Sequence, residues 1–371
     1  MDDGQLPTER IGMIYTPVLA FHITNQCNLN CTHCQSMSNY NFSGHSLWED
    51  HRDYCIEWSK KISLDYFDIL GGEPLLNPTV LDWFTGIADI WPNAKGKITS
   101  NGYALSKKNK KFYDILKNSN GKHWMEISHH NPDTIDFLIK KIDDWVEGPT
   151  TIKYINNRTW PHVEDYLTES ESEKVETELK NSYQRIRGDD WPDLNSLSDW
   201  DSLPTWIKEE CIQRHHVSPT IITNSNRGWK IVDSNGVIII VRLAHEFAPG
   251  PLIPKEDQSG FNWHQSDPVL AHDVCLNRFC HEFYNGKIHK CATAGHFEEF
   301  QKQFNVDLTD VDLSILKNYQ PATLDMSEEE LIVWFDGIKN PMPQCRFCSE
   351  GGQSTSIKAT TKKIFFPKKA N

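Results

Sequence analysis

The sequence predicts an α/β fold, built from βαβ units around a parallel sheet or barrel, followed by a smaller cysteine-bearing unit. Two observations carry this prediction. Short apolar runs alternate with amphipathic helical stretches through the first half of the chain, the pattern of repeated strand–helix units. The ten cysteines fall mostly into two groups, three within eight residues near the N-terminus and five late in the chain. At 371 residues and 38% hydrophobic content, the chain can bury a core large enough for one α/β domain and an appended unit.

Taken in order, strands are predicted at 18–24, 66–70, 97–100, 124–128 and 151–155, with helices at 46–62, 78–90, 107–118 and 132–146 between them. Residues 161–217 read as an acidic helical insert, with helices at 169–186 and 203–216, and 219–223 as one further strand. The runs 229–233 and 237–243 flank Ser234-Asn235-Gly236, a tight hairpin turn. The Pro- and Gly-rich stretch 247–268 is predicted to link the first unit, 1–246, to a second at 269–352, with a basic tail at 353–371. Thirteen Trp is a high count, and several (Trp145, Trp160, Trp191, Trp200) sit in polar surroundings where they can line a cleft or plug loops.

The net charge of −13 argues against nucleic-acid binding, which needs Lys/Arg surfaces. No apolar run reaches membrane-spanning length, and the acidic start Met1-Asp2-Asp3-Gly4 lacks the features of a signal peptide. The expected location is cytoplasmic, and cysteines there are read first as metal ligands or reactive thiols.

Cys27, Cys31 and Cys34, spaced C-x3-C-x2-C, follow directly on the first predicted strand. Three thiolates can hold three irons of a cubane and leave the fourth iron open, or bind zinc with His33 or His22 completing a tetrahedron. The second strand runs into Gly71-Gly72-Glu73-Pro74. Glycines at a strand end admit a ligand close to the backbone, and a Glu carboxylate can accept from an ammonium group.

These two motifs, one βαβ unit apart, resemble the radical S-adenosylmethionine (radical SAM) superfamily over roughly residues 15–160. The resemblance implies a partial (β/α)6 TIM-like barrel in which Cys27, Cys31 and Cys34 bind a 4Fe–4S cluster. It implies that S-adenosylmethionine chelates the open iron, that Gly71 through Pro74 bind its amino group, and that a flavodoxin- or ferredoxin-type protein supplies one electron. Reductive cleavage then gives methionine and a 5′-deoxyadenosyl radical, which abstracts a substrate hydrogen. Thr99-Ser100-Asn101-Gly102 looks like the family's Thr-Asn-Gly region, and Ser128 is placed like a cofactor-contacting residue. His33 stands where an aromatic residue is usual, and His129-His130-Asn131 replaces the commoner Leu-Asp-Gly. His129 and His130 then point toward substrate, or are ordinary loop histidines at a helix start.

The late group is Cys275-x4-Cys280-x10-Cys291 and Cys345-x2-Cys348, with a predicted Asn285-Gly286 hairpin turn inside it. Four sulfurs can enclose a cluster or a zinc ion completely. The arrangement resembles the twitch/SPASM auxiliary-cluster extension, a small C-terminal hairpin-plus-helix iron–sulfur domain. Cys275, Gly286, Cys291, Cys345 and Cys348 fit its pattern. Five thiols for four places leave either Cys275 or Cys280 spare.

Cys55 and Cys211 stand apart at helical spacings that suit core packing; the functional reading is that one donates a hydrogen atom to a substrate radical, with Cys211 the better candidate. By position, His129, His130, Asn156, Asn157 and Arg158 are candidate substrate contacts. The predicted function is hydrogen abstraction from a small polar metabolite such as a sugar, nucleoside or amino acid derivative, with the auxiliary cluster assisting oxidation or electron transfer. A peptide or protein substrate is the alternative within the class, and a non-catalytic iron–sulfur or zinc protein the alternative outside it.

Overall fold

The computed structural model describes residues 13–106, 110–131, 134–147, 150–156, 227–244, 246–247, 249–273, 275, 280–337, 340–350, 355–356 and 366–369. The first half alternates as expected: β1 (Ile14–His22), α1 (Trp48–Ser59), β2 (Ile62–Leu70), α2 (Val80–Ile90), β3 (Lys95–Ser100), α3 (Lys110–Asn118), β4 (His123–His129) and α4 (Ile135–Trp145). Then come β5 (Thr150–Asn156), β6 (Arg227–Asp233), β7 (Ile238–Leu243), β8 (Glu246–Phe247), β9 (Leu252–Pro254), β10 (Phe261–Trp263) and the short α5 (Pro268–Asp273). The chain continues through β11 (His281–Tyr284), β12 (Lys287–His289), α6 (Ala292–Gln303), α7 (Asp310–Lys317), α8 (Glu328–Asp336) and β13 (Thr355–Ser356).

Nine strands form one sheet in the order β12-β11-β1-β2-β3-β4-β7-β6-β5. The six from β11 to β7 are parallel to one another, β12 and β6 run antiparallel to them, and β5, antiparallel to β6, again runs in the direction of the six. Among the described residues the sheet stays open. The strand at 151–155 was expected to extend the parallel series; β5 does run in that direction, but the hairpin turning at Asn235-Gly236 seats β7 beside β4 and leaves β5 at the edge, paired with β6. The second hairpin turns at Asn285 and Gly286, both at positive φ (50° and 76°). It was expected within a separate small domain, but β11 pairs with β1 and so extends the main sheet.

Alternation decides which face each residue serves. Leu19, Phe21, Phe67, Ile69, Ile98, Met125, Ile127, Ile239, Val241 and Phe283 point to one side and bury against Trp58, Trp83, Phe84, Phe112 and Leu116 of the helices. Each large side chain so buried contributes roughly 1.5–3 kcal/mol. A second core joins Met37, Tyr40 and Phe42, just beyond the third motif cysteine, to Phe297, Phe300 and Phe304 of α6 and to Phe347 between the last two cysteines. Leu252, Phe261 and Trp263 complete it, so the stretch 247–268, expected as a linker, is packed and carries β9 and β10. The two cysteine regions therefore share one hydrophobic core.

Candidate metal and cofactor site

The first cysteine motif leaves β1 at its C-terminal end, and the next strand's Gly71-Gly72-Glu73 folds directly against it. Gly72 N–H donates to Thr24 C=O and Glu73 N–H to Gln26 C=O, each at 2.7 Å. This approach requires glycine. A β-carbon on Gly71, which sits at φ 151°, would lie 2.4 Å from the Thr24 carbonyl oxygen, and one on Gly72 2.3 Å from that of Gln26. Within the cysteine loop, His33 adopts φ 64° and turns the chain between Cys31 and Cys34.

Cys31 is buried, and Cys27 and Cys34 are half-buried. Burial raises the Cys31 thiol far above its ordinary value, and the neighbouring Cys34 and Cys27 raise it further. Burial also raises Cys34, although backbone N–H groups of Ser38, Ser36, Asn39 and Met37 oppose that effect. Three such thiols become thiolates only beside a cation, so the donor set suits a metal group. Among the described residues, no three cysteine sulfurs come within 4.8 Å of one another. A zinc ion held at Zn–S distances near 2.3 Å would draw its sulfurs to about 3.8 Å apart.

Glu73 connects this loop to the third strand. Its carboxylate is fully buried, Oε1 accepting from Leu75 N–H (3.1 Å) and Ser100 Oγ–H (2.8 Å) and Oε2 from Asn101 N–H (2.8 Å). Burial raises its pKa to about 7 despite these three donors. A carboxylate offers about four acceptor positions, so one is left for an ammonium group. Asn101 in turn donates through Nδ2 to Asn28 Oδ1 at 2.7 Å and toward Cys27 Sγ at 3.6 Å. Asn28 was not singled out from sequence; its only signal was its place between the first two cysteines. Pro74 starts the one-turn helix Pro74–Leu76, which Glu73 caps.

The late cysteines separate into four and one. Burial raises Cys291 well above the thiol norm, with added contributions from Cys348, Cys275 and Cys345. Cys348, pushed up to about 12 by burial, also feels Cys275 and Cys345. Cys280 is likewise pushed up to about 12, but after burial its perturbing neighbours are Asp68, Glu282 and Lys97, with no cysteine among them. It immediately precedes β11 and borders charged sheet residues instead of the other late thiols.

The sheet face opposite the helices is charged. Lys97 Nζ lies 3.3 Å from Asp68 Oδ2 and 3.4 Å from Glu126 Oε2, and Arg242 Nε lies 3.8 Å from the same Glu126 oxygen. All four residues are buried, and they were missed in the sequence reading. Ionisable residues inside otherwise apolar strands were the available signal. Ser128 shares this face by alternation. His129, expected toward substrate, has the parity of Met125 and Ile127; it is buried and meets Thr134 Oγ1 at 3.4 Å on the helix side. His130 contacts the Ala244 carbonyl at 3.1 Å. Asn156 ends β5 opposite Arg227, while Asn157, Arg158 and Cys211 lie outside the described residues. No helix among the described residues is long and apolar enough to cross a membrane.

A parallel series of strands, with a three-cysteine loop after the first and a glycine–glutamate turn after the second, frames the candidate site. Residues 21–158 match the Radical SAM superfamily model, so this part of the chain carries a radical SAM domain. No curated protein matches it. Among solved structures, it is similar to anSMEcpe with bound AdoMet at 15% identity, covering 36% of this chain and 40% of that one with a TM-score of 0.29. It is similar to BtrN in complex with AdoMet and 2-DOIA at 19% identity, covering 37% and 54% with a TM-score of 0.28. Against Streptococcus suis SuiB bound to precursor peptide SuiA the identity is 13%, the coverage 91% and 72%, and the TM-score 0.38. The chain thus spans about two fifths of the length of anSMEcpe and just over half that of BtrN.

Proposed function

We propose that this enzyme reductively cleaves S-adenosylmethionine and uses the resulting radical to abstract hydrogen from a small polar substrate. One observation carries the reading: the Glu73 segment and the cysteine loop are held together by paired backbone hydrogen bonds, with Asn101 bridging from the Glu73 carboxylate to Asn28 and Cys27. Cys27, Cys31 and Cys34 would hold a 4Fe–4S cluster, and the Gly71–Pro74 turn with Ser100, Asn101 and Ser128 would seat the cofactor. A cluster held there, once reduced by a flavodoxin- or ferredoxin-type donor, would supply the electron needed to break the S–C5′ bond and release methionine. The protein's part is to bind, orient and exclude water, because a primary radical attacks any C–H bond within reach.

The buried row Asp68, Lys97, Glu126 and Arg242 supports a polar substrate. Charged groups so enclosed are matched to hydrogen-bonding partners, whereas an apolar ligand would leave them unsolvated. Cys280, in electrostatic contact with Asp68 and Lys97, is a further candidate hydrogen-atom donor beside Cys211. Cys275, Cys291, Cys345 and Cys348 would hold the second, auxiliary cluster, for which their mutual electrostatic contact is the support. Assay of deuterium transfer into 5′-deoxyadenosine from candidate sugars, nucleosides, amino acid derivatives and peptides tests this reading. Label transfer from a small polar compound supports it, and transfer from peptides alone overturns the substrate class.

A further inference from the structure

We propose that His22, Glu282 and His296 form a closed binding site for one divalent metal ion, zinc by its ligand chemistry, that pins β1 to α6. None of the cysteines takes part, and the site stands independently of the radical chemistry above.

The three residues come from separate elements. His22 ends β1 five residues before Cys27, Glu282 lies on β11 opposite Ala20, and His296 lies on α6, whose N-cap is Cys291. They are 1%, 4% and 0% exposed. The Glu282 Oε1 atom receives both rings, His296 Nε2 at 2.7 Å and His22 Nδ1 at 3.3 Å. One ligand atom from each residue lies within 4.8 Å of the other two. Zinc at about 2.0–2.1 Å from nitrogen and oxygen spaces its tetrahedral ligands about 3.4 Å apart, so small side-chain shifts suffice.

Tautomer chemistry points to a cation. His22 Nε2 lies 2.9 Å from Asn25 Oδ1, an atom that only accepts, so Nε2 carries the hydrogen. Asn25 is oriented by its Nδ2, which donates to Tyr284 Oη at 3.4 Å. In the neutral ring, His22 Nδ1 then presents a lone pair toward the Glu282 oxygen, and it has no hydrogen-bond partner. Two buried acceptors facing each other are costly unless a positive charge lies between them. The two atoms stand 3.3 Å apart without a well-aimed hydrogen bond between them. The Asn25 contact is the kind of outer hydrogen bond that fixes a metal-ligating imidazole.

Two imidazoles and one carboxylate are a zinc-type set, and the surroundings favour a structural ion. The Tyr284 ring packs on His296 at 4.2 Å, and Phe42 closes the other side at 6.4 Å between centroids. Three protein ligands leave one position for the second carboxylate oxygen or a water. The ion would fix the end of β1, and with it the start of the Cys27 loop, against the helix that follows Cys291.

The test is metal analysis with zinc K-edge X-ray absorption on the iron-loaded protein. The expected result is about one zinc per chain with a nitrogen/oxygen shell near 2.0–2.1 Å and no sulfur. In the double variant H22Q/H296Q, zinc should fall about tenfold while iron is unchanged. Zinc well below one per chain in the unaltered protein, a sulfur shell near 2.3 Å, or zinc retained in the double variant would each overturn the proposal. The unaltered protein's spectrum decides even where the variant fails to fold.

Discussion

Glu73 and Asn101 are joined at 2.8 Å, the buried carboxylate accepting the asparagine's backbone N–H while the asparagine's side chain reaches Asn28 and Cys27. The relationship makes the glutamate a brace for the third strand's loop as well as a candidate cofactor contact. Replacing Asn101 by Ala removes the bridge but no thiol. Affinity for S-adenosylmethionine should weaken about tenfold, equivalent to about 1.4 kcal/mol, with iron content unchanged. Equilibrium binding beside iron analysis checks this; an equal loss of iron would mean the bridge holds the cysteine loop itself.

Gly72→Ala should be more severe. Its β-carbon meets the Gln26 carbonyl at 2.3 Å, and a backbone atom cannot rotate away as a side chain can. The Thr24–Cys27 segment must shift, so iron loading at the first site and cofactor affinity should fall together.

The late cysteines give a direct count. Changing any one of Cys275, Cys291, Cys345 or Cys348 to Ser should lower iron from about eight toward about four per chain. Cys280→Ser should leave iron unchanged and alter only the fate of the substrate radical. Iron and sulfide analysis of the five variants separates the two patterns.

Two buried acids set a pH dependence. Burial raises Glu73 to about 7 and Asp68 to about 6, the latter despite Lys97. The unfolded chain ionises these groups first, near pH 4, so their ionisation favours unfolding. Their contribution to stability should decline as pH rises from about 4 to about 7 and then level off. Denaturant unfolding of the wild type and Glu73→Gln across that window checks the sign, the variant losing the Glu73 share of the slope. Lys97→Met should cost about 3–5 kcal/mol by stranding Asp68 and Glu126 beside an apolar side chain.

Most of the first half was legible in the sequence because strand and helix periods differ and each carries a clean apolar stripe. The predicted strands 66–70 and 97–100 fall inside β2 and β3, and helix 78–90 overlaps α2 closely. The cysteine and Gly-Gly-Glu-Pro motifs were legible because chemistry restricts them to few residue types. What escaped was long-range. The pairing of β11 with β1, 262 residues apart in register between Phe21 and Phe283, leaves no local mark. Nor does it show that Phe42 and Phe300 share a core, which made 247–268 look like a linker.

The most direct test is anaerobic incubation of the iron-loaded protein with dithionite and S-adenosylmethionine, with 5′-deoxyadenosine and methionine measured by chromatography. The proposed function predicts equal amounts of both products, and their loss when Cys27, Cys31 or Cys34 is changed to Ala. No 5′-deoxyadenosine from protein with its first site fully loaded with iron would contradict it.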